Sequence, residues 1–405
     1  MSGDPLRLAL IDDFPEEGWR SMDLCAERLA AAWPADGGNA GDGNAGGRVV
    51  AERVAPPFRR PFGRLAPLAP GRRARRTLAN ADRLWNRVRT YPARLARIAD
   101  RFDLFHVVDH SYAHLVLSLP AERTGVFCHD LDAFRCLLDP AAEPRPRWFR
   151  AHARRLAEGL ERAAAVFVST AEVRRQLLAS GLVPADRILR TPYGVSAEFA
   201  RGPAGDAAAA EVAALDLPPG PFLLHVGSCI PRKRIDVLLE VFAAVRAERP
   251  DLTLVQVGGA WTDSQRETLG RLNLAGSVRQ LTGLSRSALA ELYRRSRAAL
   301  QPSEAEGFGL PVIEALACGA KVVASDLPVL REVGGPVATF APVGDVPAWR
   351  GATLAALDAP APDPAAAEAH LRQFTWEEHA RRIGAAYERL AAGEPIADLA
   401  AEDAL

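Results

Sequence analysis

Glu306 and Glu314 stand with seven residues between them, the first three a Gly307-Phe308-Gly309 turn, in the stretch Gln301–Gly319 that reads QPSEAEGFGLPVIEALACG. The short apolar run Ala298–Leu300 before it reads as a buried strand. Pro311 suits a first helical turn, where its missing N–H has no intrahelical partner in any case. Val312, Ile313, Leu316 and Ala317 then make an apolar helix face, and Gly319 is a natural stop. Strand, glycine loop and helix start together aim free backbone N–H groups and the positive end of a helix dipole at one spot, which suits an anion. Glu306 before the loop and Glu314 in the first helical turn would accept hydrogen bonds from hydroxyls. An anion cradle between hydroxyl acceptors is the chemistry of a nucleotide-sugar site. The same residues also satisfy plain turn and dipole chemistry with no ligand, so spacing alone leaves both readings open.

Two further groups sit where strands should end. In HVGSCIPRKRIDVLLEVF (His225 to Phe242) a strand stops at Val226, Gly227 and Ser228 turn the chain, and Arg232, Lys233 and Arg234 precede a helix. Cations at the carboxyl end of a strand lie where open α/β sheets bind ligands. The plain alternative is a solvated basic turn. In VFCHDLDAFR, His129 and Asp130 directly follow an apolar strand, so His129 is either a structural hydrogen-bonder or a group facing a crevice.

The elements that must hold these groups alternate. Strands are expected at Leu6–Ile11, Val49–Val54, Leu104–Val108, Gly125–Cys128 and Val166–Ser169, with helices such as Met22–Trp33, Arg145–Arg162 and Glu172–Ser180 between them. A second series follows. Its strands are Phe222–Val226, Leu252–Val257, Val278–Leu281, Ala298–Leu300 and Lys321–Ala324, and its helices lie near Ile235–Glu248, Asp263–Leu272, Ser287–Arg295 and Pro311–Cys318. Two such series predict an α/β protein with two Rossmann-like domains. Arg201–Gly220, rich in Gly, Ala, Asp and Pro, reads as the linker between them, with one short helix. The expected division is 1–200, 201–375 and a long amphipathic helix with an acidic tail over 376–405.

Composition narrows the class. The chain has 405 residues, 48% of them apolar and 25% charged, which suits an ordinary globular protein of two domains. Lys+Arg and Asp+Glu both number 50, so net charge singles out no partner. Five scattered cysteines without Cys-x-x-Cys read as reduced thiols of a cytoplasmic protein. Leu6–Ile11 is too short for a signal peptide, and no run approaches a membrane span. The glycine-rich ADGGNAGDGNAGGR (Ala35–Arg48) follows a helix and precedes a strand, the wrong order for a phosphate loop, and is expected to be a flexible surface loop. His106, His110 and His114 share a spacing of four that a helix would align. Phe105–Val108 reads as strand, however, and no cluster completes a tetrahedron, so no metal is expected and Asp109 and His110 are assigned to the acceptor side.

The segment EGFGLPVIEALACGAKVVASDLPVLREVGG, carrying Glu306-x7-Glu314, resembles the donor-site signature of retaining glycosyltransferases of family four, which have the GT-B fold. The resemblance implies two Rossmann-like domains facing each other across a cleft, with a C-terminal helix, here FTWEEHARRIGAAYERL, crossing back to the N-terminal domain. It implies transfer of a sugar from a UDP- or GDP-type donor to an unidentified acceptor, lipid-linked or polysaccharide, with no further cofactor and no bound metal. Glu314 would hold the ribose. Glu306 and the backbone of Gly307, Phe308, Gly309 and Leu310 would hold the sugar. Family members carry Gly-Arg, a four-residue gap and Lys after the strand, and this chain keeps Gly227 and Lys233 with Ser228 in place of the Arg. Either Arg232 or Arg234 must then supply the second cation, or one cation holds the diphosphate. VFCHDLDAFR is similar to the family's His-Asp element, placing His129 beside the donor sugar. TGLSRSALAELY is similar to the segment whose backbone, at Gly283 and Leu284, meets the base. The match is weak over 1–103, where the loop DDFPEEGWRSMDLCAERL replaces the usual Gly-Gly.

The competing functions are a nucleotide-sugar epimerase and a non-catalytic nucleotide-sugar binding protein on the same fold. A phosphorylase with pyridoxal phosphate would need a Schiff-base lysine, and Lys233 and Lys321 are the only lysines. Lastly, the arginine-rich Arg53–Arg101 interleaves Leu78, Leu84, Trp85, Val88, Leu95 and Ile98 with its arginines. It reads either as a solvated helix face or as a peripheral contact with an anionic membrane surface, which would put the protein against the inner membrane face. Nucleic acid is not expected as a partner, because the site chemistry lies elsewhere.

Overall fold

The computed structural model describes residues 5–18, 20–33, 48–68, 71–202 and 205–402. The expected glycine loop, from Ala35 to Gly47, lies outside them. Strands β1 (Leu6–Ile11), β2 (Val49–Val54), β3 (Leu104–Val107), β4 (Thr124–Cys128), β5 (Ala165–Val168) and β6 (Ile188–Arg190) form one sheet, in the order β2-β1-β3-β4-β5-β6. Strands β7 (Phe222–Val226), β8 (Thr253–Val257), β9 (Val278–Leu281), β10 (Ala298–Gln301), β11 (Val322–Ser325) and β12 (Thr339–Ala341) form the other, ordered β12-β11-β10-β7-β8-β9. Every pairing is parallel. Helices on both faces of a parallel sheet bury both sides of its strands, which is why β4 (TGVFC) and β5 (AVFV) are nearly unbroken apolar runs.

Side chains set the helix starts. Thr170 accepts from Val173 N to open Ala171–Ser180. Thr262 and Gln265 make a reciprocal capping box at Asp263–Arg271. Phe105, Val107, Val126, Phe134, Leu160 and Val166 belong to the core of the first unit, and Leu223, Leu239, Phe242, Leu254, Leu300 and Val323 to that of the second. In both sheets the chain runs outward to one side, then returns to the other side of its first strand. These reversals fall between β1 and β3 and between β7 and β10. The two crevices that open beside them, at the carboxyl ends of the strands, are where α/β sheets place ligands.

The chain divides into residues 1–192 with 376–405, and 193–375. The boundary thus falls ahead of the expected 200/201. Its cause is packing: Tyr193 meets Phe308 edge to face at 5.0 Å, Val195 N donates to Phe374 O, and Phe199 packs on Tyr293. The expected linker Arg201–Gly220 is likewise part of the second unit, where the helix Asp206–Ala213 buries Ala208 and Val212. Strands β6 and β12 fall in stretches where no strand is expected. The acidic tail holds a helix, Ala397–Glu402, seated through Ile396 and Ala400. All five cysteines are buried and none forms a disulfide. Among the described residues no helix is long and apolar enough to cross a membrane.

The helix Trp376–Ala391 returns to the first unit and is anchored there by polar contacts. The Tyr387 hydroxyl donates to Phe105 O at 2.9 Å and accepts from His106 Nδ1 at 2.8 Å. Burial pushes His106 down to about 3, so it is neutral and serves as a structural donor. Tyr387→Phe leaves the buried His106 Nδ1 without its acceptor and removes a bond to Phe105 O. It is expected to cost about 1–3 kcal/mol, read as a lower urea midpoint by fluorescence, with circular dichroism unchanged in the absence of denaturant. An unshifted midpoint would remove this anchor from the account.

Candidate functional site

The crevice between β7 and β10 gathers the first group. After β10 the chain turns through Ser303–Gly309 into the helix Leu310–Ala317. Gly309 has φ +104, and a Cβ there would stand 2.7 Å from Leu330 Cδ2, so only glycine makes this helix entry without strain. Gly319 ends the helix at φ +80, with Gly319 N donating to Leu316 O and Ala320 N to Ala315 O, a Schellman stop. Pro311 occupies the first turn, as its fixed φ favours. The helix begins at Leu310, so Glu314 lies in the second turn rather than the first, away from the exposed N–H groups.

Glu306 is the hub. Its side chain is 5% exposed and accepts from Lys233 Nζ at 2.5 Å, Ser303 Oγ at 2.7 Å, Gln301 Nε2 at 2.9 Å and Arg232 Nη1 at 3.3 Å. Burial alone would raise this carboxyl. The charges of Lys233 and Arg232 and the bonds from Lys233 and Ser303 outweigh it and hold Glu306 at about 2. The charge on Lys233, whose side chain is only 10% exposed, is thereby compensated. Arg232 is pinned further by Ala305 O at 3.0 Å.

The basic turn is not one patch. Arg234 caps the helix Ile235–Arg246 in a left-handed conformation, φ 47 and ψ 52, and its guanidinium goes to Asp236 and Glu304 instead. Of the two arginines proposed to replace the missing one, Arg232 shares an anion with Lys233, whereas no contact between Arg234 and Glu306 or Lys233 is described. A Cβ at Gly227 would stand 3.2 Å from His225 Cε1 and 3.7 Å from Lys233 Cδ, and the Gly227 carbonyl accepts from Gln256 Nε2 at 3.0 Å. Ser228 is exposed beside it.

Glu314 is buried and has Arg286 Nη2 at 3.9 Å. Burial pushes it up to about 8, with Arg286 lowering and Glu198 raising it. Arg286 follows the turn of Gly283 and Leu284 after β9, so that turn and the β10 helix are tied together. Glu211 holds the same turn by accepting from Ser285 N at 3.0 Å and Ser285 Oγ at 2.6 Å. Phe308 is buried between Tyr193 and Phe374, so its side chain is packing, and only the backbone of Gly307–Leu310 is left for binding.

The first unit has its own cluster, at its crevice between β1 and β3. Asp12 and Asp13 follow β1, Asp109 and His110 follow β3, and His129 and Asp130 follow β4. His129 donates from Nε2 to Val108 O at 2.8 Å and stacks on Phe127 at 4.8 Å. Burial lowers its pKa, so it is neutral at pH 7. His110 lies between Asp109 at 3.3 Å and Asp130 at 3.6 Å. His114 goes elsewhere, donating to Arg87 O, so the three equally spaced histidines serve different partners. Asp13 is buried against Asp109, and burial with the charge and hydrogen bond of Asp109 pushes this carboxyl well above its usual range. Asp13, which the sequence does not single out, joins this cluster. Its only signal was an acidic pair closing an apolar strand.

Residues 213–344 match the family model of glycosyl transferases group 1. The O-antigen chain mannosyltransferase B of Escherichia coli is 31% identical over 263 residues, covering 63% of this chain and 68% of that protein. The D-inositol 3-phosphate glycosyltransferase of Jonesia denitrificans is 34% identical over 200 residues, 44% of this chain, and under half of that relative is spanned, at 46%. Among solved structures, the sucrose-phosphate synthase of Thermosynechococcus elongatus aligns with TM-score 0.66 at 20% identity, over 97% of this chain and 100% of that one. Anabaena HepE in complex with UDP and glucose aligns with TM-score 0.63 at 15% identity, over 98% of each. The protein is thus of the GT-B class, built on two Rossmann-like units with the last helix returned to the first. It belongs to the glycosyl transferases group 1 family.

Two outcomes follow for the isolated protein. Glu306→Ala strands a buried lysine and is expected to cost about 3–5 kcal/mol by chemical denaturation, whereas Arg234→Ala should cost under about 1 kcal/mol. Equal losses would contradict the hub. Because the Glu314 pKa is raised from 4.5 to about 8, its stabilising effect is full below the unfolded value and is lost as pH rises through about 8. The melting temperature of Glu314→Gln should therefore fall less than that of the unmodified protein between about pH 5 and about pH 8. Parallel profiles would show that Glu314 is ionised throughout.

Proposed function

We propose that the protein is a retaining glycosyltransferase that moves a sugar from a nucleoside-diphosphate sugar of UDP or GDP type to an acceptor hydroxyl, without a bound metal. The observation that carries this reading is the meeting of Lys233, Arg232 and Glu306 with the Gly307–Leu310 backbone at one strand-order reversal. In the reaction, negative charge grows on the departing diphosphate and positive charge on the sugar ring. Lys233 and Arg232, held in place by Glu306 before substrate arrives, face the first charge with no rearrangement needed, and the start of the helix Leu310–Ala317 adds its dipole. Glu306 has oxygens on the same spot to accept from sugar hydroxyls. Glu314, protonated at neutral pH, can both donate to and accept from the ribose hydroxyls. The Gly283–Leu284 backbone is the edge offered to the base. The name of one relative, a mannosyltransferase, and a neighbour bound to UDP and glucose support a hexose donor of this kind.

On the first unit we assign His129 to the transferred sugar, as the sequence resemblance implies, and Asp13, Asp109 and His110 to the acceptor. A neutral buried carboxyl such as Asp13 can donate to an acceptor oxygen while Asp109 accepts from a hydroxyl. The acceptor is lipid-linked or a polysaccharide end. An epimerase or a pure binding protein would hold the donor with the same residues, and the reaction outcome separates them.

Purified protein incubated with UDP- and GDP-hexoses and extracted glycolipid or polysaccharide acceptors should release nucleoside diphosphate. The new bond should have the donor's anomeric configuration by NMR, and a chelator should not slow it. An inverted product, a donor isomer or binding without turnover would overturn the reading. Lys233→Ala should lower kcat/KM about 10²- to 10³-fold, and Arg232→Ala should cost more than Arg234→Ala. Full activity in Lys233→Ala would place the diphosphate elsewhere.

A further inference from the structure

From Arg59 to Arg97 the sequence contains many arginines and a single acid, Asp82. Asp82 is buried, and its carboxylate accepts from Phe62 N at 2.8 Å and Gly63 N at 2.9 Å. The surface of this segment therefore carries no negative charge of its own. Two amphipathic pieces build it, the helix Gly71–Trp85 and the turn Gly63–Leu68. Arg73, Arg76 and Arg83 recur at helical spacing along one outward face and are exposed, with no ion pair among the described residues. Leu84 shares that face. Leu65, Trp85 and Val88 are exposed nearby in the chain, at 51%, 42% and 40%.

Leaving a Trp and three aliphatic side chains in water is unfavourable, and the segment is built to hold them there. Asp82 ties the turn to the helix, and Asn86 does the same for Arg59, accepting from Arg59 N at 2.9 Å and donating to Arg59 O at 2.6 Å. A Cβ at Gly63 would lie 2.7 Å from Asp82 Oδ2, so the turn sits close on the helix. Phe62 meets Trp85 edge to face at 6.0 Å, and the indole stays 42% exposed. Leu95 and Ile98, expected among the anchors, are instead in the core, which confines the exposed apolar groups to Leu65–Val88.

We propose that this face of the first unit docks on an anionic phospholipid bilayer, with Leu65, Leu84, Trp85 and Val88 entering the headgroup boundary and the arginines meeting lipid phosphates. The chemistry selects this occupant over two others. Nucleic acid would match the arginines but gives aliphatic side chains nothing to stack on. A second copy, paired through the same patch, would set arginine against arginine. A basic, amphipathic surface with apolar tips is what lies in a membrane interface without crossing it.

Vesicles of neutral lipid and of neutral lipid with about one-third phosphatidylglycerol test this by co-sedimentation at ionic strengths of about 0.01 M and about 1 M, where the Debye length falls from about 30 to about 3 Å. Binding is expected only with the anionic vesicles, and should weaken sharply at the higher salt. Each arginine near such a surface is worth about fivefold in partitioning, so Arg73→Ala/Arg76→Ala/Arg83→Ala should lose about 100-fold. Leu84→Ser/Trp85→Ser should lose about tenfold or more. The arginine variant changes only exposed side chains, so it keeps the test sound if the apolar variant misfolds. No binding at low salt, equal binding to neutral vesicles, or undiminished binding in the arginine variant would overturn the proposal. So would a dimer that the same substitutions dissolve, or RNA binding as tight as lipid binding and unaffected by Leu84→Ser/Trp85→Ser. These outcomes are independent of sugar transfer, which is assayed on soluble donor.

Discussion

The buried contact between Glu306 and Lys233 is the constraint from which the proposed donor site follows. It joins the loop after β10 to the loop after β7, the two strands between which the second sheet reverses its order. A lysine at that depth keeps its charge only with a compensating anion, and a carboxylate at that depth keeps its own only with donors around it. Each supplies the other's need. Gln301, Ser303 and Arg232 complete the carboxylate's hydrogen bonds, so the group is rigid before any ligand arrives. A cation held in a dry crevice is far more effective toward a growing negative charge than one moving in water.

The same logic separates the two units. The second unit's crevice sets two cations against one carboxylate and is preorganised. The first unit's crevice places Asp13 beside Asp109 and sets His110 between Asp109 and Asp130. There the conflict is met by protonation: burial and a like charge keep Asp13 neutral. One crevice thus offers cations and the other a mixture of hydroxyl acceptors and a neutral acid, a division that suits a diphosphate on one side and a hydroxylated molecule on the other.

Much of this was legible in the sequence. The parallel strands with both faces covered are apolar runs, and strands such as Leu6–Ile11, Val49–Val54, Phe222–Val226 and Val278–Leu281 have the expected bounds. Strands β6 and β12, three residues each at sheet edges, carry too little pattern to be seen. Leu95 and Ile98 illustrate a different failure, since a helix with arginines on one side shows its apolar stripe but not whether that stripe meets core or water. The split between Arg232 and Arg234 was not legible at all. It rests on a left-handed backbone at Arg234, a conformation that arginine rarely takes and no local pattern announces. Glu314 moved inward for a simpler reason: the helix starts one residue before Pro311, which shifts the first turn.

The chain's two lysines, Lys233 and Lys321, allow the central claim to be tested directly. In protein labelled with 15N at lysine side chains, the two Nζ signals can be told apart with Lys321→Arg. Addition of UDP or GDP should shift the Lys233 signal, while that of Lys321, which binds the carbonyls of Leu357 and Ala359, stays in place. If saturating nucleotide leaves the Lys233 signal unmoved, the ion pair with Glu306 is a structural contact and the diphosphate is bound elsewhere.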